Sequence, residues 1–281
     1  MKKSLLLIGA CLLFSKVGMS QDTKNVRFGI RTTPTINWMT PDNEKKIQKV
    51  GVMMKAGIGL ALEFKLSDVA SFQTGVDYTG GGFKAKYGTD TAFYLYKDDA
   101  IVEGTIKGDS LNSPSALSFL TSGGSYHRLA ERTYNIGYLN IPLTFKLKTK
   151  DIGGFTYFGQ IGANLMLRLK ARANDDVYVT KVVAGIPKTE TSITEFDKVD
   201  IAKTVGLITG AANVGGGAEY NISGSTSLYA SIHYQHYFIS STKADSGYLI
   251  RSKTENNSKK LSEFPNVMRM RQIVLAIGIL F

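Results

Sequence analysis

The C-terminal segment from Gln272 to Phe281 constrains the fold more than any other part of the chain. Successive side chains of a strand point to opposite faces, and one face of this segment is entirely apolar: it carries Ile273, Leu275, Ile277, Ile279 and Phe281. Bilayer hydrocarbon offers an exposed peptide group no hydrogen-bond partner, so strands cross membranes only in closed barrels. The segment therefore predicts an all-β fold that spans a membrane.

The first twenty residues have the order of a secretory signal peptide. Lys2 and Lys3 precede an apolar core that ends near Phe14, and small residues follow up to Ser20. The core is about ten residues long, whereas a membrane-spanning helix needs about 20. We predict that 1–20 is a signal peptide cleaved after Ser20. The only cysteine, Cys11, lies in this core, where an alternative is a lipoprotein cleavage site.

Alternation with a period of two residues continues along the rest of the chain and predicts eight strands. These are 26–38, 52–66, 70–83, 135–147, 155–172, 204–222, 226–238 and 267–281. Pro142 cannot donate a ladder hydrogen bond, and it predicts a bulge in the fourth strand.

The connections between these strands alternate between short and long. The short ones are 67–69, 148–154 and 223–225, and the long ones are 39–51, 84–134, 173–203 and 239–266. Outer-membrane barrels keep short turns at the periplasm and long loops outside. We therefore predict that 21–281 is an eight-stranded antiparallel transmembrane β-barrel with short periplasmic turns and long extracellular loops, of which 84–134 is the longest.

Aromatic residues cluster near the two ends of the predicted strands, as interfacial girdles do. The periplasmic girdle comprises Phe28, Phe64, Phe72, Phe145, Phe155, Tyr157, Tyr220 and Phe281, and the opposite one comprises Trp38, Tyr78, Tyr234 and Phe238. Ordinary strand aromatics are the alternative interpretation.

The segment Tyr138-Leu-Asn-Ile-Pro-Leu143, followed by Gly159-Gln-Ile-Gly162, resembles the PorT-like outer-membrane β-barrel family of Bacteroidota. The terminal Phe281 also resembles the signal that the barrel-insertion machinery of Gram-negative bacteria reads. These resemblances imply an address in the outer membrane of a Gram-negative bacterium. They also imply a link to the type IX secretion system, but they assign no functional residue.

Charge patterning suggests partners and a filled lumen. The net charge of +11 favours binding to outer-membrane lipid, especially to the phosphates of lipopolysaccharide. It could also favour nucleic acid, but the sequence has no basic helix that would point to nucleic-acid binding. The inward positions collect Arg27, Arg31, Glu63, Lys65, Asp77, Lys146, Arg168, Lys170, His233 and Glu219. Eight strands leave little interior space, so we expect these charges to neutralise one another. A proton or solute path is the alternative.

The sequence predicts no catalytic, cofactor-binding or metal-binding residues. Its three histidines are His127, His233 and His236, and the last two point to opposite faces of one strand. His236 and Ser240 form the best hydrolytic pair, but at four residues apart they are too distant for direct contact. Asp98-Asp99 and Asp175-Asp176 are candidate calcium ligands without calcium-loop spacing.

We therefore expect a non-enzymatic interaction or scaffold protein that contacts a protein or glycan through its extracellular loops. The loop aromatics that would make this contact are Tyr87, Phe93, Tyr94, Tyr96, Tyr126 and Tyr178. A small-solute channel and an outer-membrane lipid-modifying enzyme are the alternatives.

Overall fold

The computed structural model describes residues 25–42, 46–88, 92–103, 113–183, 186–243, 246–255 and 258–281. The predicted signal peptide lies outside this part of the chain. The described residues form 17 strands and one helix. The first strands are β1 Val26–Thr32, β2 Thr35–Pro41, β3 Ile47–Lys49, β4 Met53–Lys55, β5 Gly57–Lys65, β6 Ala70–Tyr87, β7 Phe93–Lys97 and β8 Ala100–Val102. They are followed by α1 Pro114–Thr121, β9 Ser125–Lys148, β10 Phe155–Val183, β11 Ile186–Thr189, β12 Thr194–Asp200 and β13 Ile208–Ser223. The last strands are β14 Thr226–Tyr237, β15 Ile250–Glu255, β16 Ser258–Glu263 and β17 Met268–Leu280. No helix among the described residues is long and apolar enough to cross a membrane.

Eight of these strands form a closed antiparallel ring, as the sequence predicts. The order around the ring is β1, β5, β6, β9, β10, β13, β14 and β17, and β17 then pairs with β1. At the seam Ile279 lies opposite Ile30, and the Phe281 amide donates to the Phe28 carbonyl at 2.7 Å. Farther up, β17 pairs with β2 instead of β1. The ring therefore has no open edge at the membrane.

The wall of the ring alternates between an apolar outside and a polar inside. On β5, Leu60 and Leu62 face outward while Glu63 is buried, and on β9 Phe145 faces outward while Lys146 is buried. Of the predicted periplasmic girdle, Phe64, Phe145, Phe155, Tyr157, Tyr220 and Phe281 are exposed on the outer face. This pattern is what lipid on one side and a packed lumen on the other require.

Beyond the membrane the wall continues as an ordered extension, which differs from the predicted loops. A transmembrane strand needs about 9–11 residues, but β9 has 24 and β10 has 29. The predicted long loop 84–134 is wrong in its bounds, because β6 runs to Tyr87 and β9 begins at Ser125. Between them lie β7, β8 and α1. The predicted loop 173–203 likewise contains the end of β10 together with β11 and β12.

Two bulges in the β9–β10 ladder explain why simple alternation fails in this extension. Leu169 is an extra residue in β10 and Ala130 is an extra residue in β9. An extra residue reverses which side chains point inward. Met166 is therefore buried below the first bulge, whereas Ala171 and Asp175 are buried above it.

The predicted bulge at Pro142 is absent. Pro142 lies opposite Asn164 of β10 with no shift in register. On its other side, the ladder with β6 is interrupted between the pairs Gln73–Thr144 and Asp77–Asn140, and it resumes in the same register. The missing proline donor thus interrupts the hydrogen bonds without displacing the strand.

The extension encloses a hydrophobic core that caps the barrel. The largest buried cluster includes Met39, Phe83, Tyr134, Val177 and Phe264, which come from β2, β6, β9, β10 and the segment after β16. A second cluster joins α1 to β7 and β9 through Leu120, Leu95 and Tyr126. Burial of these side chains removes apolar surface from water and stabilises the extension.

Candidate functional site

The end of the lumen beside the short turns, which is the predicted periplasmic end, holds a cluster of three cations and two carboxylates. Arg27 Nη2 lies 2.5 Å from Glu63 Oε1 and 2.8 Å from Glu219 Oε2. Lys146 and Lys148 each bind both carboxylates, with Lys146 Nζ 3.1 Å from Glu63 Oε2 and Lys148 Nζ 3.2 Å from Glu219 Oε1. The side chain of Lys146 is fully buried and lies over the ring of Phe158 at 3.8 Å. Because every charge has an opposite partner, this cluster closes the lumen without a buried unpaired ion.

A second charged pair lies higher in the lumen, beside a small polar cavity. Arg31 donates from Nε and Nη2 to the two oxygens of Asp77, both at 2.8 Å, and Asn140 also donates to Asp77. The cavity measures about 50 Å³, and its lining includes Thr33, Gln73 and Asn140. This space fits only a few water molecules, since each needs about 10–15 Å³. The cavity is too small for a solute path.

Three lysines near the lumen differ from their predicted positions. Lys170 points outward, because the extra residue Leu169 reverses the alternation at that point. Lys65 lies at the periplasmic rim, where it pairs with the exposed Asp68 at 2.8 Å. Lys148 belongs to a predicted turn, but it extends β9 and reaches into the charge cluster.

Inside the extension, Arg132 and Asp175 form a completely buried ion pair. The Nε and Nη2 atoms of Arg132 donate to the two carboxylate oxygens, each at 2.6 Å, and both side chains are 0% exposed. Burial alone would lower the pKa of Arg132, but the adjacent Asp175 carboxylate outweighs it and holds that pKa above its ordinary value. Sequence reasoning missed this pair, because both residues lie in predicted loops.

The nearest approach to a hydrolytic site lies beside this pair. Ser125 Oγ is 2.9 Å from His127 Nε2, and His127 Nδ1 is 3.2 Å from the Tyr94 hydroxyl. However, His127 is buried between the rings of Tyr96 and Phe196, whose centroids lie 4.7 and 4.6 Å away. Burial, followed by the charge of Lys181, lowers the pKa of His127 to about 4. A weak base without access to substrate is poorly suited to activate Ser125.

The paired aspartates have structural roles. Asp98 and Asp99 occupy the two-residue turn between β7 and β8, both with positive φ, which is the conformation of a type I′ hairpin. Asp175 faces Arg132 inside the extension while Asp176 is only half-buried, so the two carboxylates diverge. His233 lies in the lumen and contacts Gln160 and Ser231, apart from His236. Within the described ranges, no three acidic, histidine or cysteine side chains are grouped to hold a metal ion.

The aromatic residues expected to contact a partner are mostly internal. Tyr87, Phe93, Tyr94 and Tyr126 are buried, and Tyr96 and Tyr178 are half-buried. The Tyr87 and Tyr134 hydroxyls share a hydrogen bond of 2.8 Å, and Arg128 lies 4.2 Å over the Tyr178 ring. The prediction that these rings form the contact surface is therefore wrong for the four buried ones.

Several solved outer-membrane barrels are similar to this chain. Neisserial surface protein A (NspA) has 12% identity and a TM-score of 0.35, over 90% of this chain and 97% of that one. The outer membrane protein OprG from Pseudomonas aeruginosa has 11% identity and a TM-score of 0.40, over 94% and 99%. The outer membrane protease OmpT from Escherichia coli has 9% identity and a TM-score of 0.32, over 95% and 99%. No curated protein matches the sequence at a significant level.

The family comparison agrees with the closed ring of strands. Residues 19–207, more than half of the chain, match the family model described as outer membrane protein beta-barrel domain. The chain belongs to this outer membrane protein beta-barrel domain family, and its place is the outer membrane.

Proposed function

We propose that this protein is a non-enzymatic interaction or scaffold component whose extracellular extension presents a binding surface to a partner. The observation that carries this proposal is the length and order of the extension. In β10, Val183 lies 14 residues beyond Leu169, which corresponds to about 45 Å along a strand. Such a structure, with its own hydrophobic core, far exceeds what closing the barrel requires.

The state of the lumen favours this function over a channel. The charge cluster around Lys146 occupies the periplasmic end, and the Arg31–Asp77 pair lies above it. The hydrophobic core of the extension covers the other end. An ion or solute would have to displace paired charges in a poorly hydrated space, which is costly.

The geometry around His127 favours this function over a lipid-modifying enzyme. Its hydrogen bonds to Ser125 and Tyr94 lie in a buried aromatic setting, and its lowered pKa weakens it as a base. A lipid-hydrolysis assay on the purified protein, with Ser125→Ala as the matched control, tests the enzyme alternative. Hydrolysis that disappears in Ser125→Ala would overturn the non-enzymatic proposal.

The tip of the extension offers apolar side chains to a partner. Val183 near the end of β10 is 56% exposed, and Ile193 just before β12 is 52% exposed. They lie well above the lipid-facing band, so lipid does not account for their exposure. The resemblance to the PorT-like family makes components of the type IX secretion system the first candidates for this partner.

Site-specific photo-crosslinking in native outer membranes tests the proposal. A photoreactive residue at Ile193 should capture a specific protein, whereas the same residue at Asp151, in the periplasmic turn, should not capture it. Planar-bilayer recordings on the purified wild-type protein should show no steady current. A stable, reproducible conductance, or capture that is equal from Ile193 and Asp151, would contradict the proposal.

A further inference from the structure

A basic recess lies on the outer face of the barrel wall, where the lipid-facing band ends. It has a volume of about 540 Å³ and is lined by residues from β4, β6, β9, β10 and β12. Of its lining residues, Ile136 belongs to the hydrophobic core of the extension, and none belongs to the charge cluster in the lumen. It is independent of the proposed partner surface at the tip, because Val183 and Ile193 do not line it.

The floor of the recess includes two outward positions of the wall that lack side chains. Gly80 of β6 and Gly137 of β9 lie directly opposite each other. A Cβ at Gly137 would lie 2.8 Å from the Tyr78 hydroxyl, and one at Gly80 would lie 3.2 Å from Lys55 Cβ. The Tyr78 ring and the Lys55 chain therefore lie directly on the backbone, and the Lys55 ammonium donates to Asn135 Oδ1 at 2.6 Å.

Four cations surround this floor. They are Lys55, Lys170, Arg172 and Lys198. Two carboxylates are nearby: Asp197, which also lines the recess, and Asp200, which lies 3.5 Å from Arg172. Within the described ranges Lys170 and Lys198 form no ion pair, and both are exposed. The recess therefore carries excess positive charge.

The backbone around Lys198 is fixed in an uncommon conformation. Lys198 has a φ of +57°, which non-glycine residues adopt rarely. The β10–β12 ladder shifts register at this point, the Lys198 amide donates to Asn174 Oδ1 at 3.3 Å, and Arg172 donates to the Lys198 carbonyl at 3.2 Å. These contacts hold the Lys198 backbone against the side chains of Asn174 and Arg172 at one side of the recess.

The recess lies at the boundary between the lipid-facing band and the extension. Lys170 directly follows Leu169, the last exposed apolar residue of β10 before the extension, and the exposed Tyr78 is a member of the predicted girdle opposite the periplasmic one. A ligand there meets hydrocarbon below and cations above. We propose that this recess binds the phosphate groups of lipopolysaccharide in the outer leaflet, with the acyl chains along the apolar wall beneath. Arginine and lysine side chains are the usual phosphate ligands of proteins.

Binding of purified, acylated lipopolysaccharide to the full protein in detergent tests the proposal. The double variant Lys170→Gln/Lys198→Gln should bind about tenfold more weakly than wild type, because it removes two solvent-accessible charge contacts. The matched control is Lys181→Gln/Lys188→Gln, which removes two exposed lysines farther out on the extension and should bind like wild type. All variants should retain heat-modifiable gel mobility, since the substituted side chains lie on the surface.

Two further ligands separate the lipid from other anions. Dephosphorylated lipopolysaccharide should bind about as weakly to wild type as the intact lipid binds to the double variant. Inorganic phosphate at equal concentration should not displace the intact lipid. Equal affinity of both double variants, equal binding of the dephosphorylated lipid, or full displacement by inorganic phosphate would each overturn the assignment.

Discussion

The buried Arg132–Asp175 pair gives the sharpest stability prediction. Asp175→Ala leaves the Arg132 guanidinium with no carboxylate in a site from which water is excluded, because both side chains are 0% exposed. Removing one partner of a buried pair costs about 3–5 kcal/mol, since a desolvated charge is left uncompensated. Tyr94 and Tyr134 lie near the guanidinium, at 5.2 and 5.7 Å, and their ring faces offset only a small part of this cost.

An exposed pair of the same chemistry provides the control. Arg269 Nη1 lies 2.5 Å from Asp42 Oδ1, but the two side chains are 39% and 43% exposed. Asp42→Ala should therefore cost less than about 1 kcal/mol. Urea unfolding of the protein in phospholipid vesicles measures both variants, and the single tryptophan, Trp38, reports the transition through its fluorescence.

The double variant Arg132→Met/Asp175→Leu separates the charge from the packing. Replacing a buried ion pair by apolar residues of similar volume is often neutral or stabilising, so this variant should recover most of the stability that Asp175→Ala loses. The reasoning is refuted if Asp175→Ala destabilises no more than Asp42→Ala. It is also refuted if the double variant is as unstable as Asp175→Ala.

Three further perturbations test other parts of the structure. Glu63→Ala leaves Arg27, Lys146 and Lys148 with Glu219 as their shared carboxylate, so the free energy of unfolding, measured in urea, should decrease by about 3 kcal/mol. A decrease below about 1 kcal/mol would mean that water already screens the cluster. Phe281→Ala keeps the backbone hydrogen bonds to Phe28 but removes the terminal aromatic side chain that resembles the insertion signal, so it should lower the outer-membrane level, measured by fractionation; unchanged level and gel mobility would contradict this. In the folded protein the pKa of His127 is lowered to about 4. Below the unfolded pKa of about 6.5 the unfolded chain binds a proton that the folded protein does not, so the free energy of unfolding decreases as the pH decreases. Between pH 7 and 5, wild type should therefore lose about 2 kcal/mol more in free energy of unfolding than His127→Gln loses, as measured by urea unfolding at both pH values.

The membrane-embedded part of the fold was predictable because two environments act on alternate residues there. Lipid requires Leu60 and Phe145 on one side, and the narrow lumen requires Glu63 and Lys146 on the other. The alternation within each strand therefore shows which of its side chains face lipid and which face the lumen. Four members of the charge cluster, Arg27, Glu63, Lys146 and Glu219, followed from the same alternation, since side chains on one face of neighbouring strands must meet inside a small ring. Lys148 did not, because it was predicted to lie in a turn.

The extension was not predictable by the same reasoning, because its two faces see other protein and water instead of lipid. Tyr94 lies in the apolar run Phe93–Tyr96 and Tyr126 lies among polar residues, and in neither place does the local sequence distinguish burial in a core from exposure to a partner. The bulges at Ala130 and Leu169 lie among residues of ordinary strand composition. Without the bulge at Leu169, Asp175 is assigned to the wrong face and its contact with Arg132 cannot be inferred.

The continuity of β9 and β10 has a mechanical consequence. Both strands run without a break from the periplasmic turn at Lys148 and Phe155 to the far end of the extension. A load applied near Val183 is therefore carried along hydrogen-bonded strands into the membrane wall, with no linker in between to absorb it. A partner that pulls on the tip would tilt the whole barrel in the bilayer, and the turn between β9 and β10 at the opposite end would move with it.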